Sequence, residues 1–411
     1  MLKFMSPKPK NTDLGKYLGK SEGTIRGIIK KDEKEYLNLV NEYKYENYPF
    51  MKLDDYKCYL KETGEYDKNE FKDLKKKIKE NSLPQTTYTD GIGQTFRYIP
   101  TVIDRLLQIK DIMGELKIDY PITFSVGNHK GGATKTTDTT NIAATLAYFG
   151  FKVLIVDFDH QGNASGSFGL YGDNYKNTII DLIVKSSDDN IEQLVKKSVV
   201  NIDVSNKFEN GITGRLDVIP NNATKSELVE DLPTMSRTLG TIENSLDNVL
   251  SYVKNDYDFI FIDLPPRTDI ILRTAMMASD YFLVALSPQP FAKMGMPYIL
   301  NPIEKFKPIY KKEKGKEFKI LGGIVGYYEK GVSVQDVNYE QIKNDILDCT
   351  NNETALFETY VPKNTMIQEA QQGDGALIFS SPCDKAVKNF FELSLEILER
   401  SLFDISESRG V

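Results

Sequence analysis

Cysteine is scarce: Cys58, Cys349 and Cys383 are the only three in 411 residues, far apart and without a C-x-x-C pair. That spacing speaks against a disulfide framework or a zinc site and fits a reducing cytosol. Long apolar runs are also missing. No stretch approaches the roughly 18 consecutive apolar residues of a membrane span. The opening MLKFMSPKPK has no apolar region followed by a small-residue cleavage site, so no secretory signal is expected. Internal repeats are absent. So is net positive charge: the formal charge is -7, which for the chain as a whole speaks against nucleic acid as a partner.

What is present changes that last reading. Residues 1–120 carry 23 Lys+Arg against 20 Asp+Glu, whereas the remainder carries 29 against 39. The first 31 residues hold eight basic side chains against Asp13 and Glu22. A locally basic N-terminus on an acidic body indicates an appended module with its own partner. Apolar residues at 40% and charged residues at 27% describe an ordinary globular chain, long enough for one large domain and a smaller one.

The texture breaks near Asp119-Tyr120-Pro121. Before it the chain is rich in Lys, Glu and Tyr at helical spacing. After it, short apolar runs at 122–126, 153–156, 216–219, 259–262, 281–285 and 320–325 alternate with amphipathic stretches such as 136–149, 241–253, 269–278 and 337–347. Apolar strands without polar alternation, separated by helices, predict a parallel sheet covered on both faces. The expected architecture is an α/β, doubly wound, mostly parallel domain at 119–411, preceded by a smaller, mainly helical domain at 1–118. Ligands of such a sheet sit at the carboxyl ends of its strands.

The first strand runs into Asn128-His129-Lys130-Gly131-Gly132-Ala133-Thr134-Lys135-Thr136-Thr137, and a helix follows. Glycines let the backbone curl so that successive N–H groups converge on phosphate oxygens, and the positive end of the helix adds to the attraction. Lys135 is placed to bridge β- and γ-phosphates, and the Thr136 hydroxyl to ligate Mg²⁺. The fit to G-x-x-x-x-G-K-[ST] is imperfect, because His129 and Thr134 stand at the two glycine positions. The next strand ends Val156-Asp157-Phe158-Asp159-His160-Gln161-Gly162-Asn163-Ala164-Ser165. A carboxylate there, beside the phosphate loop, can position water for in-line attack. Asp157 has a second reading as a turn former, and His160 is expected on the surface or in a loop with no chemistry. The run Phe259-Ile260-Phe261-Ile262-Asp263 has the apolar-strand-then-Asp pattern whose carboxylate holds a Mg²⁺-bound water.

These segments together resemble the ParA/MinD superfamily of P-loop ATPases. The loop is similar to its deviant Walker A motif K-G-G-x-x-K-[ST]-[ST], with Thr134 where glycine is commonest. The second segment is similar to D-x-D-P-Q-G-N-A-S, with His160 where proline is usual. Leu216-Asp217-Val218-Ile219-Pro220-Asn221 is similar to the family's L-D-[LV]-I-P-[SN] strand. The run Phe357 to Asn364, followed by Glu369-Ala370, is similar to its F-x-x-x-[IV]-P-[RK]-N…E-A segment. The resemblance spans 121 to about 380. It implies that residues 130–137 bind ATP or ADP, that Lys130 reaches the partner's phosphates in a nucleotide-sandwiched homodimer, and that Lys130, Lys135 and Asp159 act in catalysis. It further implies that Thr136, Asp157 and Asp263 surround Mg²⁺, and that Pro362, Lys363 and Asn364 lie against adenine. A cytoplasmic, nucleoid-associated DNA-segregation motor with a ParB-type partner and no membrane attachment follows as the expectation.

In the N-terminal module, Leu14 to Ile28 matches the helix-turn-helix pattern L-A-x-x-L-G-x-S-x-x-T-[IV]-x-x-[IL]. Leu14 and Leu18 share a face, Gly19 permits the turn, Ser21 caps the second helix, and Ile25 and Ile28 bury. That leaves Glu22, Thr24, Arg26, Lys30 and Lys31 for DNA, alongside Ser21. An unrelated helical hairpin is the alternative. The segment from Gly93 to Ile109 reads either as a winged element with a helix or as a connector. The Lys-rich run 305–319 reads chiefly as a solvated helix face.

A MinD-like membrane ATPase would carry a basic amphipathic C-terminal helix. The tail from Glu392 is acidic instead, with five carboxylates against Arg400 and Arg409. A repressor with a regulatory ATPase is a further alternative, against which Lys135, Thr136, Asp159 and Asp263 are all intact.

Overall fold

The computed structural model describes residues 109–409, apart from 111, 129–133, 173–174, 187, 205–213, 226–241, 267–269, 290–291, 351–352 and 382–383, and before them only 50–51, 68–69, 87–89 and 95–98. The chain divides into two compact units, Met1–Gln108 with Glu209–Gly211 and Ile109–Phe208 with Ile212–Val411. In the first, β1 (Phe50–Met51), β2 (Thr87–Thr89) and β3 (Thr95–Tyr98) form a small antiparallel sheet in the order β1-β3-β2. Its middle strand lies inside the segment read as a winged element or a connector. Ser21, Thr24, Arg26, Lys30 and Lys31 lie outside the described residues.

The second unit is built on seven strands: β4 (Ile122–Gly127), β5 (Lys152–Asp157), β6 (Val200–Ile202), β7 (Arg215–Ile219), β8 (Phe259–Asp263), β9 (Tyr281–Leu286) and β10 (Lys319–Val325). Their order is β10-β9-β4-β8-β5-β7-β6, parallel except for β6, which pairs antiparallel to β7. All six strands expected from the apolar runs are present. The short edge strand β6 was not expected, because its residues are half-exposed and carry no apolar run.

Both faces of the sheet are covered, which is why its strands lack polar alternation. On one face, Phe124 stacks on Phe261 and Tyr281. That face lies under α1 (Lys135–Tyr148) and the C-terminal helix Lys385–Arg409, where Phe149 and Phe391 meet edge to face. On the other, Leu154, Val156, Ile260, Ile262, Phe282 and Val284 join a core with Leu246, Ile271, Met276 and Leu300. The C-terminal helix buries Phe390, Leu393, Ile397 and Leu398 in the domain core, so its apolar face is already occupied. No helix among the described residues is long and apolar enough to cross a membrane.

Two helices differ from the sequence reading. The stretch 241–253 is interrupted: a 3-10 turn at Ile242–Asn244 passes into a helix at Ser245–Ser251. The Lys-rich run 305–319 read as a helix face is helical only to Lys314, the end of a 23-residue helix, Ala292–Lys314, whose interior holds Pro297, Pro302 and Pro308, and its last residue, Lys319, opens β10. Each proline removes a helical N–H donor, so local propensity conceals an element that tertiary burial of Ile299, Leu300, Ile303 and Phe306 holds together.

Candidate active site

Strand order assembles the site. β8 lies between β4, which leads into the phosphate loop, and β5, which leads into the Asp157–Asp159 turn. In register, Val126 stands opposite Asp263, and Asp157 stands opposite Asp263 on the other side. Neighbouring strands are about 4.8 Å apart, so two carboxylates end adjacent strands at one level. The main chain continues the ladder past them, with Phe158 N–H donating to Asp263 O (2.9 Å) and Leu264 N–H to Val126 O (3.1 Å).

Asp263 is fully buried. Its Oδ2 accepts the Thr136 hydroxyl at 2.6 Å, while its Oδ1 has no hydrogen-bond partner. Burial raises its pKa to about 7; repulsion from Asp159 adds to this, and the Thr136 bond and the Lys135 ammonium oppose it. Asp157 is pushed well above the ordinary carboxylate range by burial and then by Asp263, against two bonds from Ser165. The Ser165 N–H (2.7 Å) and hydroxyl (2.6 Å) both donate to Asp157 Oδ2, leaving Oδ1 buried and unpartnered. Ser165 Oγ in turn accepts Asn221 N–H (3.0 Å), tying the end of β7 to the cluster. Asp157 therefore anchors the turn and also presents a free oxygen. Asp159 is 4% exposed and accepts Gln161 N–H at 2.9 Å. Gly162 closes this turn at φ +68, where a Cβ would stand 2.6 Å from Asn221 O. Only glycine fits there.

Crowded buried acids with orphaned oxygens are costly unless a cation joins them. Lys135, 5% exposed, supplies one positive charge, and the free Oδ1 atoms of Asp157 and Asp263 leave room for another. No cluster of three or more His, Cys, Asp and Glu forms a metal cage among the described residues. The donor set of a hydroxyl and one or two carboxylates suits Mg²⁺, which keeps waters and shares phosphate oxygens, better than an all-protein site.

Thr134, Lys135, Thr136 and Thr137 open α1 as expected; Lys130, Gly131, Gly132 and Ala133 lie outside the described residues. A family model described as an AAA domain matches residues 122–316. The chain is 27% identical to the sporulation initiation inhibitor protein Soj of Bacillus subtilis, over 66% of this chain and 96% of that protein. It is 28% identical to a virulence plasmid ParA family protein of Chlamydia psittaci, over 68% and 95%. With the chromosome partitioning protein ParA of Caulobacter vibrioides the identity is 24% over 67% and 93%. The chain is thus similar to ParA-family proteins over about two thirds of its length. Among solved structures, apo McdA of Cyanothece shares the fold, with a TM-score of 0.54 at 18% identity over 68% of this chain and 100% of that one.

The late ParA-like segment pairs with the end of β10 and the chain just after it. Val361 N–H donates to Val325 O, and Lys363 N–H to Tyr328 O. Pro362 and Lys363 thus reach the carboxyl edge of the sheet, with Lys363 held by Glu329 at 3.1 Å. Asn364 is engaged within the protein. Its Oδ1 caps the helix Thr365–Ala370 through Met366 N–H (2.8 Å), and its Nδ2 donates to Asp384 (2.9 Å).

Four residues at this site escaped the sequence reading. His160, expected on the surface or in a loop, lies in the turn after β5, but its side chain is only 15% exposed and its Nδ1 is 3.6 Å from Asp159 Oδ1. Tyr327 sits at φ +55, an unusual conformation for a bulky residue, with its hydroxyl 3.4 Å from that of Thr137. Asp138 is fully buried and bonded to Thr134, and Gly326 packs against Thr134. No sequence signal marks Tyr327 or Gly326, and Asp138 reads as an ordinary acidic residue in the first turn of a helix.

Proposed function

We propose that this chain is a ParA-family, Mg²⁺-dependent ATPase that segregates DNA, switching between ADP- and ATP-bound states. The observation that carries the reading is the Thr136–Asp263 bond beside the orphaned oxygens of Asp263 and Asp157, at the mouth of a phosphate loop. Thr136, Asp263 and Asp157 would hold Mg²⁺, which when bound supplies positive charge against the phosphate oxygens. Lys135 neutralises the β- and γ-phosphates, and the following helix presents its N–H groups to them. Asp159, at the turn after β5, accepts a hydrogen bond from the attacking water and orients it. Pro362 and Lys363 line the adenine side. In its ATP form the chain pairs with a second copy through Lys130 and holds duplex DNA by phosphate contacts, and a ParB-type DNA-binding partner stimulates hydrolysis.

Asp159→Ala is the test of this mechanism. The variant is expected to bind ATP normally and to lose turnover by about a hundredfold or more, since only the positioning of water is removed. Phosphate release within about twofold of wild type would reject the assignment.

Residues 1–118 contribute site-specific DNA binding in the same proposal, making the chain an autorepressor of its own operon. Arg26→Ala is expected to weaken operator binding by about 1–3 kcal/mol while leaving ATP-dependent binding to random duplex unchanged. Equal losses on operator and scrambled DNA, read by anisotropy at two salt concentrations, would remove the specific role.

A further inference from the structure

Thr134 is the residue at which this phosphate loop departs from the commonest family pattern, and the departure creates a physical problem. A threonine just before a helix ordinarily turns its Oγ to accept the N–H of the second or third helical residue. Here those residues are Thr136 and Thr137, whose N–H groups are among those a bound phosphate needs. A glycine at this position offers no competing oxygen. Threonine does.

In the structure the competition is suppressed. Thr134 makes no side-chain capping bond to α1. Its hydroxyl donates instead to Asp138 Oδ2 at 2.7 Å, one helical turn onward. Its main-chain oxygen accepts Asp138 N–H at 2.7 Å, so the two residues are doubly tied. Neither is open to solvent, at 1% and 0% exposure. On the outer side the Thr134 side chain packs on Gly326, where an added Cβ would stand 2.1 Å from its Oγ1 and 2.3 Å from its Cγ2. Gly326 is itself fixed, its N–H donating to Leu286 O at the end of β9 (2.8 Å). The hydroxyl is thus held from both sides. Asp138 keeps a second carboxyl oxygen buried without a partner, a cost that apolar packing would avoid. Such a group is retained where its one bond has a task.

We propose that Asp138 is a positioning residue of the phosphate loop: it holds the Thr134 hydroxyl as a donor, away from α1, and so keeps the Thr136 and Thr137 N–H groups available to phosphate. Asp138 touches neither phosphate nor cation. It acts through Thr134, and Gly326 supplies the wall that confines the hydroxyl. This inference rests on the nucleotide-site reading above and deepens it.

The proposal predicts a coupling that a merely structural acid would not show. Binding of AMPPNP with Mg²⁺ to the full chain is measured by calorimetry for wild type, Asp138→Ala, Thr134→Val and the double variant, with a thermal melt of each. Asp138→Ala frees the hydroxyl to cap its own helix and is expected to weaken binding about tenfold or more. Removing that hydroxyl in the double variant is expected to restore most of the loss, to within about threefold of Thr134→Val. Asp138→Asn, which keeps an acceptor, is expected to bind more tightly than Asp138→Ala. The cycle is run in parallel on Asp138→Leu, which fills the buried volume without an acceptor, so a folding failure of the alanine variant still leaves a readable result. A double variant as weak as the Asp138 single variant, or an Asp138 variant as tight as wild type, overturns the proposal. Wild-type protein that binds no nucleotide overturns this inference and the nucleotide-site reading together, whereas wild-type binding without coupling overturns this inference alone.

Discussion

Asp263→Ala is expected to lower Mg²⁺-dependent ATP turnover by about two to three orders of magnitude and to weaken nucleotide binding in the presence of Mg²⁺. The residue ends the central strand, between β4 and β5, and fixes Thr136 by a 2.6 Å bond. On the proposed reading its loss removes a cation ligand and also releases the Thr136 hydroxyl that would face the same cation. A pH dependence accompanies it. Burial raises the Asp263 carboxyl to about 7 in the free protein, and a divalent cation must displace its proton. Below about pH 7 the neutral acid predominates, so apparent Mg²⁺ affinity should fall by up to about tenfold per pH unit, and above it the affinity should level off. Asp263→Asn should flatten this limb, leaving only the part that the buried Asp157 carboxyl, also raised, contributes. Mg²⁺ titrations of turnover at several pH values read both effects, and a wild-type affinity independent of pH from 5.5 to 8 (a range set by the expected midpoint of roughly 7) would contradict the role.

Lys130→Ala should separate ATP binding from everything that follows it. On the proposed reading, this lysine serves the nucleotide of a second copy rather than its own. Lys135 remains to hold the bound phosphates. ATP affinity is therefore expected to change by no more than about threefold, while ATP-dependent dimerisation is lost and turnover falls by about a hundredfold or more. Calorimetry with light scattering distinguishes this from a simple binding defect. An unchanged ATP dimer in Lys130→Ala would contradict the assignment decisively.

Much of the second unit was legible in the sequence, because buried parallel strands announce themselves as apolar runs and because Lys135 and Thr136 open the helix after β4 while Asp159 and Asp263 lie at or just past strand ends. What sequence order could not supply was the order of strands in space. Only the placement of β8 between β4 and β5 shows that Asp157 and Asp263 are neighbours. Nor could the sequence reveal that a three-proline stretch is one helix, since burial there overrides local preference. Asp138 and Tyr327 were hidden for a different reason. Their roles depend on contacts, with Thr134 one helical turn away and with Thr137 across 190 positions, and neither contact leaves a local pattern. Asn364 was noticed in a motif, yet the structure engages its amide in capping the next helix, a use that the short polar side chain of a residue before a helix ordinarily has.

The central claim is that ATP switches the state of this chain. Light scattering of the full-length protein with Mg²⁺ and ATP, with Mg²⁺ and ADP, and without nucleotide tests it most directly. The account predicts a species of twice the 46.6 kDa chain mass with ATP alone, and the single-chain mass in the other two states. One mass in all three conditions, for protein that calorimetry shows to bind ATP, would contradict it.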